Sequence, residues 1–343
     1  MLYHLFVDDS PVSEASRSLL KHLFLFNGSL AVMLFFVVSG FSLSIGFFST
    51  ANDEVLKRLI AGRYLRLAIP VILTLFVHQL FVHYQIIPAA PDWPISLQST
   101  QLFKDAQQSL GFVELLRYGC YDVLIDYTNR PPMIGPLWTI EYELKGSILL
   151  LLSLFLYKKF NNSECLLIAV TLFLVLKGKY YYLAFFIGMW MALLFSRRAI
   201  SSSFSLLALL VGLILSVQTK PNQATLLTCS SLLFYHILAS DRSKAFFQNR
   251  LSRFLGRISF SLYLIHATVM SSVGIHLSTF DPLDRLQING IVLVASIVAA
   301  MAFQPIDRFS IDLARRFSWK MQELSMGRSD RSQQSDRGKS QPG

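Results

Sequence analysis

Glu143 is the residue whose presence most needs a chemical reason. It lies in Pro136-Leu-Trp-Thr-Ile-Glu-Tyr-Glu-Leu-Lys-Gly-Ser147, which opens an apolar run reaching Tyr157 and sets Glu141, Glu143 and Lys145 inside it. A charge at the centre of a membrane helix costs at least ~2.5–3.5 kcal/mol, so each needs a partner or a task. Glu141 and Lys145 stand at i and i+4 with the acid first, the spacing of an ion pair on one helix face near the membrane edge. That leaves Glu143. A second titratable group, His4 in Leu2-Tyr-His-Leu-Phe6, lies roughly 5 Å by helical rise from the polar boundary after Val7, and Glu143 lies roughly 9 Å into a run entering from the same side. An imidazole and a carboxylate at similar depth in one leaflet form a better pair than either alone.

Other residues suggest further chemistry. Arg63 and Arg66, at i and i+3, share a helix face and could grip a phosphate or pyrophosphate through forked hydrogen bonds. They also fit a membrane-edge anchor whose side chains snorkel to water. His266, in Ser261-Leu-Tyr-Leu-Ile-His266, falls near mid-membrane, where a neighbouring helix could satisfy it. Ser39 and Gly40, inside Phe35-Phe-Val-Val-Ser-Gly-Phe41, match the small residues that let membrane helices pack closely. His78 and His83 could line a pore. The three cysteines, at 120, 165 and 229, share no metal-ligand or disulfide spacing, so no metal site is expected.

The elements that must position these residues are membrane helices. Apolar residues make up 53% of the 343 and charged residues 15%, against the ~25% charge of a soluble domain. The formal charge of +10 is scattered between apolar runs and not gathered on one face, which argues for membrane topology and against nucleic-acid binding. Residues 1–7 read as the last two turns of a helix whose beginning is absent, so a truncated chain is expected. Complete spans are predicted at 28–49, 65–87, 137–157, 164–177, 180–196, 204–218, 223–239, 258–278 and 288–306, an all-α polytopic bundle of nine membrane helices after that stub. Lys and Arg concentrate on alternate loops, beginning with Lys57 and Arg58 and ending with 308–339, which places that side and the C-terminus in the cytoplasm. Residues 88–136 form the longest outer segment, with helical apolar spacing over 110–125 that suits the membrane surface. A membrane domain over 1–310 followed by a disordered basic tail over 311–343 is the expected organisation.

In order and spacing, His4, the 35–41 run, Arg63-x-x-Arg66, Pro136-Leu-Trp138 with Glu143, and the 261–266 run resemble the acyltransferase 3 family of multi-pass membrane O-acyltransferases. The resemblance covers residues 1 to about 310. It implies ten membrane helices and transfer of an acyl group, commonly acetyl from acetyl-CoA at the cytoplasmic side, to a hydroxyl of a glycan or lipid-linked acceptor. It implies a bacterial cytoplasmic membrane as the location, acyl-CoA as a substrate and no permanently bound cofactor. His4 matches the family's essential histidine and Glu143 the glutamate after Leu-Trp, with Glu141 offset by two. Arg63 and Arg66 match the pair associated with coenzyme A, while Ser39, Trp138 and His266 take supporting roles. Lys145-Gly146-Ser147 departs from the aromatic-rich continuation common in bacterial members. On this reading His4 is the general base and Glu143 orients its ring, with the arginines and His4 near opposite faces of a ~30 Å core. A proton-coupled transporter using His4 and Glu143 as a relay, or an inactive scaffold, are the other readings.

Overall fold

In a bilayer every backbone polar group of a segment must be satisfied within the protein, so long apolar runs close their own hydrogen bonds as helices. The structure, a computed structural model, describes residues 27–50, 53–87, 109–127, 133–161, 163–216, 222–278 and 284–339. Among these every regular element is helical. The predicted spans fall on α1 (Gly28–Thr50), α2 (Asp53–His83), α4 (Trp138–Lys159), α5 (Glu164–Leu176), α6 (Tyr180–Ser196), α7 (Ser205–Ser216), α8 (Gln223–Ala239), α10 (Arg250–Val269, continued by a π-turn, Met270–Gly274, and Ile275–Ser278) and α11 (Arg285–Lys339). Between them lie two short helices: α3 (Phe112–Arg117), continued by a π-turn (Tyr118–Asp122) and Val123–Ile125, and α9 (Asp241–Phe247).

Among the described residues four stretches are long and apolar enough to cross a membrane: Gly28–Thr50, Glu54–His83, Arg250–Ser278 and Leu286–Glu323. Helix α4 has 22 residues but carries three charges near its start. The others, α5 with 13 residues, α6 with 17, α7 with 12 and α8 with 17, fall short of the ~20 residues needed to cross ~30 Å. Length and composition therefore support four crossings directly, where nine were expected.

Helices α1 and α6 make the most extensive contact. Two glycines permit it: a Cβ on Gly40 would stand 2.0 Å from the Phe185 carbonyl oxygen, and one on Gly188 would stand 2.0 Å from that of Val37. The backbones touch, which is how membrane helices gain packing energy where lipid offers no hydrophobic drive. Phe36 then stacks on Phe185, with ring centroids 5.1 Å apart.

Helix α2 begins at Asp53, twelve residues before the expected span, and α11 runs antiparallel to it. Pro70 lies inside α2 and has no N–H to give the Arg66 carbonyl four residues back. The hydroxyl of Ser310 on α11, which donates to the Asp307 carbonyl at 2.7 Å, also reaches that carbonyl at 3.4 Å. Further along, Gly62 faces Ala314, the Arg58 guanidinium lies 4.5 Å from the centre of the Trp319 ring, and Gln322 donates to Glu54. The expected disordered tail from 311 is thus helical from its first residue, and residues 311–322 pack along α2 because their Ala314/Ser318 face fits the small residue at Gly62.

The segment expected to lie on the membrane surface packs against α2. Residues 110–125 are helical over most of their length, but they run beside α2 in the opposite direction. Gln79 accepts from the Leu110 N–H at 3.2 Å, Gly119 sits against Ile72 and Leu75, and Tyr64 donates to the Cys120 carbonyl at 2.7 Å. Fifteen residues of α2, about 22 Å of helix, separate the first and last contacts. Backbone at this depth is tolerated where it is packed against protein, and here Leu115, Tyr118, Val123 and Leu124 are buried. Tyr118 accepts from the Met133 N–H at 3.1 Å, and Tyr127 donates to the Gly135 carbonyl at 2.9 Å. These bonds deliver the start of α4 to the level of Arg63.

Candidate active site

Three helices meet at one buried polar cluster. Positions 143, 147, 150 and 154 are buried at the i, i+4, i+7, i+11 spacing of one face of α4, so Glu143 and Ser147 point the same way. Arg63 enters from α2 and Ser39 from α1. The Arg63 guanidinium pairs with Glu143 Oε1, and both side chains are almost fully enclosed, at 6% and 5% exposure. Ser39 Oγ donates to the same carboxylate oxygen at 3.4 Å. Arg63 Nε donates to Ser147 Oγ at 2.8 Å, and Ser147 in turn donates to the Leu144 carbonyl at 2.9 Å. Glu143 Oε2 is buried and accepts no hydrogen bond among the described residues.

An isolated buried carboxylate is prohibitively costly, and the guanidinium makes this one tenable. Replacing such a pair by packed apolar residues is often neutral or stabilising, so a pair kept at this depth points to a task beyond stability.

Arg63 and Arg66 both border one cavity but differ in surroundings. Ten residues of α2 precede Arg63, roughly 15 Å of helix, so it lies inside the bundle, with Nε on Ser147 and Nη2 on Glu143 while it also borders a cavity. Arg66 is exposed and lines a cavity of about 370 Å³ between α2 and α11, with Arg58, Arg63, Arg315 and Trp319 among its walls. One turn of α2 joins Arg66 to the carboxylate's partner.

Glu141 and Lys145 form the predicted pair, and Glu141 Oε2 also accepts from the Tyr127 N–H at 3.3 Å. Trp138 belongs to an aromatic cluster between the carboxylate's own helix and α6, with Tyr181 at 5.4 Å and Tyr142 at 5.7 Å between ring centroids. His266 is buried on α10, its Nδ1 2.8 Å from the Tyr263 carbonyl oxygen, and its ring centre 6.0 Å from that of Tyr263. Tyr263 is the link to the site: its hydroxyl donates to the Pro136 carbonyl and lies 2.5 Å from Thr139 Oγ1, one turn before Glu143. His78 faces Thr268 of α10 at 3.0 Å, a contact between helices α2 and α10. His4 lies outside the described residues.

Ser147, Thr139, Tyr263, Arg58, Arg315 and Trp319 were not predicted. Ser147 carried a signal, since it stands at i+4 from Glu143. Gly146 beside it makes room for the Phe185 ring, 2.6 Å from where a Cβ would be. The apparent departure at 145–147 is therefore part of the site's construction.

Among the described residues no group of three or more His, Cys, Asp or Glu side chains is arranged to hold a metal ion. No curated protein and no solved structure matches the chain. The model of an acyltransferase domain matches residues 1–304, a stretch that includes every helix contributing to the Ser39–Arg63–Glu143–Ser147 cluster. This chain belongs to the acyltransferase 3 family of membrane acyltransferases.

Proposed function

We propose that this protein is a membrane O-acyltransferase that moves an acyl group, acetyl in the first instance, from acyl-CoA to a hydroxyl of a carbohydrate or lipid-linked acceptor. The observation that carries this reading is the asymmetry of the Glu143 carboxylate. One oxygen is held by Arg63 and Ser39, while the other is buried with no bond among the described residues. We assign His4 as the group that Oε2 orients.

His4 then takes the proton of the acceptor hydroxyl as its oxygen attacks the thioester carbonyl. An O–C bond forms, the C–S bond breaks, and the imidazolium returns its proton to the departing coenzyme A thiolate. Glu143 holds the imidazole and stabilises its charged form, and Arg63 holds Glu143. Arg66 takes donor phosphates in the cavity, on the cytoplasmic side by loop charge. One helical turn between Arg66 and Arg63 supports direct transfer from the thioester and leaves no need for an acyl intermediate on Ser39. Trp138 and its aromatic neighbours flank the acceptor's path, and Tyr263 keeps His266 and the start of α4 in place.

The protein in lipid nanodiscs, given radiolabelled acetyl-CoA and a membrane glycan fraction, is expected to label the glycan. His4→Ala should abolish labelling at unchanged expression. Undiminished transfer by that variant sinks His4 as the base, and proton-coupled uptake without coenzyme A would replace the reading by a transporter.

A further inference from the structure

The cavity beside Arg66 has a wall that the acyltransfer reading does not use. Its α2 side supplies Arg58, Gly62, Arg63 and Arg66, and its α11 side runs from Ile311 to Trp319. The family match ends at residue 304, so this second wall lies beyond the matched domain. It is not loosely placed. Ser310 bonds to the Arg66 carbonyl, Ala314 meets Gly62 where a Cβ would be 3.1 Å from its carbonyl oxygen, and Gln322 reaches Glu54. These contacts hold α11 in register against α2 for three turns.

The lining has a recognisable chemistry. Four arginines border it; Arg63 is paired with Glu143, and Arg58, Arg66 and Arg315 present forked guanidiniums of the kind that suits phosphate oxygens. Val55, Leu59 and Ile311 add apolar surface. Trp319 is half-exposed, with the Arg58 guanidinium over one face of its ring, so a planar base can stack on the opposite indole face or on the outer plane of the guanidinium. Asp312 lies 3.8 Å from Arg315, but both are more than 60% exposed, so water weakens their attraction. A volume of about 370 Å³ falls within the ~300–1,000 Å³ of small-molecule sites.

We infer that the 311–319 stretch of α11 is the nucleotide-selecting wall of the donor site, with Arg315 taking a phosphate and Trp319 stacking on the donor's purine. This inference rests on the acyl-CoA reading and assigns donor specificity to residues outside the matched family domain. An anionic lipid headgroup offers the same phosphate chemistry without a base, and the Trp319 face favours the nucleotide.

The test uses the whole protein in phosphatidylcholine nanodiscs, with and without phosphatidylglycerol. One measurement is binding of adenosine 3′,5′-bisphosphate; the other is the KM ratio for S-acetyl-phosphopantetheine against acetyl-CoA. Arg315→Ala and Trp319→Ala are each expected to weaken nucleotide binding about tenfold and to cut the preference for acetyl-CoA by a similar factor, the scale of a lost stacking or ionic contact, while Trp319→Phe recovers most of both. Preference and binding that survive both alanine variants overturn the site while leaving the acyltransfer reading intact. Nucleotide binding abolished by phosphatidylglycerol also overturns it, as a headgroup site, and so does an unsubstituted protein that binds no bisphosphate. Binding that depends on Trp319 in a protein that transfers no acetyl supports the site and refutes the acyltransfer reading.

Discussion

Arg63 and Glu143, 80 residues apart in the chain, form an ion pair enclosed between α2 and α4, with Ser39 and Ser147 completing its hydrogen bonds. Removing one partner leaves a charge buried alone, whereas removing both leaves a cavity that apolar side chains can fill. Arg63→Ala is therefore expected to lower stability by ~3–5 kcal/mol, and the double variant Arg63→Met/Glu143→Leu to recover most of it without recovering activity. Thermal unfolding in detergent, read beside acetyl transfer, separates the two effects. A double variant no more stable than Arg63→Ala would contradict the pairing.

Glu143→Gln keeps the shape of the side chain and removes its charge. If Glu143 orients and stabilises an imidazolium, transfer should fall by ~100-fold or more, as when a general base loses its supporting carboxylate. The readout is kcat with acetyl-CoA saturating, and a loss confined to KM would count against the role.

Ser147 accepts from Arg63 Nε at 2.8 Å, so Ser147→Ala leaves one buried donor unmatched. The expected cost is ~1–3 kcal/mol, with a partial loss of transfer because Arg63 no longer holds Glu143 in one place. Ser147→Thr, which keeps the hydroxyl, should fall between the alanine variant and the unsubstituted protein when both are compared by thermal shift.

Gly40 and Gly188 have no space for a Cβ, whereas Gly46 on the same helix has nothing within 4 Å. Gly40→Ala and Gly188→Ala must push α1 from α6 and carry Ser39 away from Glu143. Overpacking of this kind costs ~1–3 kcal/mol, so both variants should unfold earlier and transfer less, while Gly46→Ala behaves as the unsubstituted protein. Equal melting of all three would refute the close approach.

Pro70 makes a specific demand on its neighbour, because the Arg66 carbonyl it frees is reached at 3.4 Å by Ser310, which shares its proton with the Asp307 carbonyl at 2.7 Å. Ser310→Ala should cost ~1 kcal/mol where Pro70 is present and less in a Pro70→Ala background, where the helix can close that bond itself. A double-mutant cycle by thermal unfolding measures the difference.

Much of this protein could be read from its residues. Runs too apolar and too long for a soluble fold must become helices, because lipid leaves the backbone no other partner, and the helical stretches follow those runs. The order of Ser39-Gly40, Arg63-x-x-Arg66, Pro136-Leu-Trp138 and Glu143 pointed to the family, and Glu141 with Lys145 could be paired from i, i+4 spacing alone. Where the helices stand relative to one another was decided only by tertiary packing. Arg63 looked like an edge residue because charge marks the apparent end of an apolar run, yet α2 extends ten residues before it and buries it against a carboxylate that offsets its desolvation. Residues 110–125 looked interfacial because an amphipathic pattern fits a membrane surface or a neighbouring helix equally well. Residues 311–322 looked disordered because composition cannot reveal that α2 offers Gly62, Arg58 and Glu54 as partners. Local periodicity determines that a helix forms and which face is apolar. Which distant charge meets another depends on depth and register, and those arise when whole helices pack.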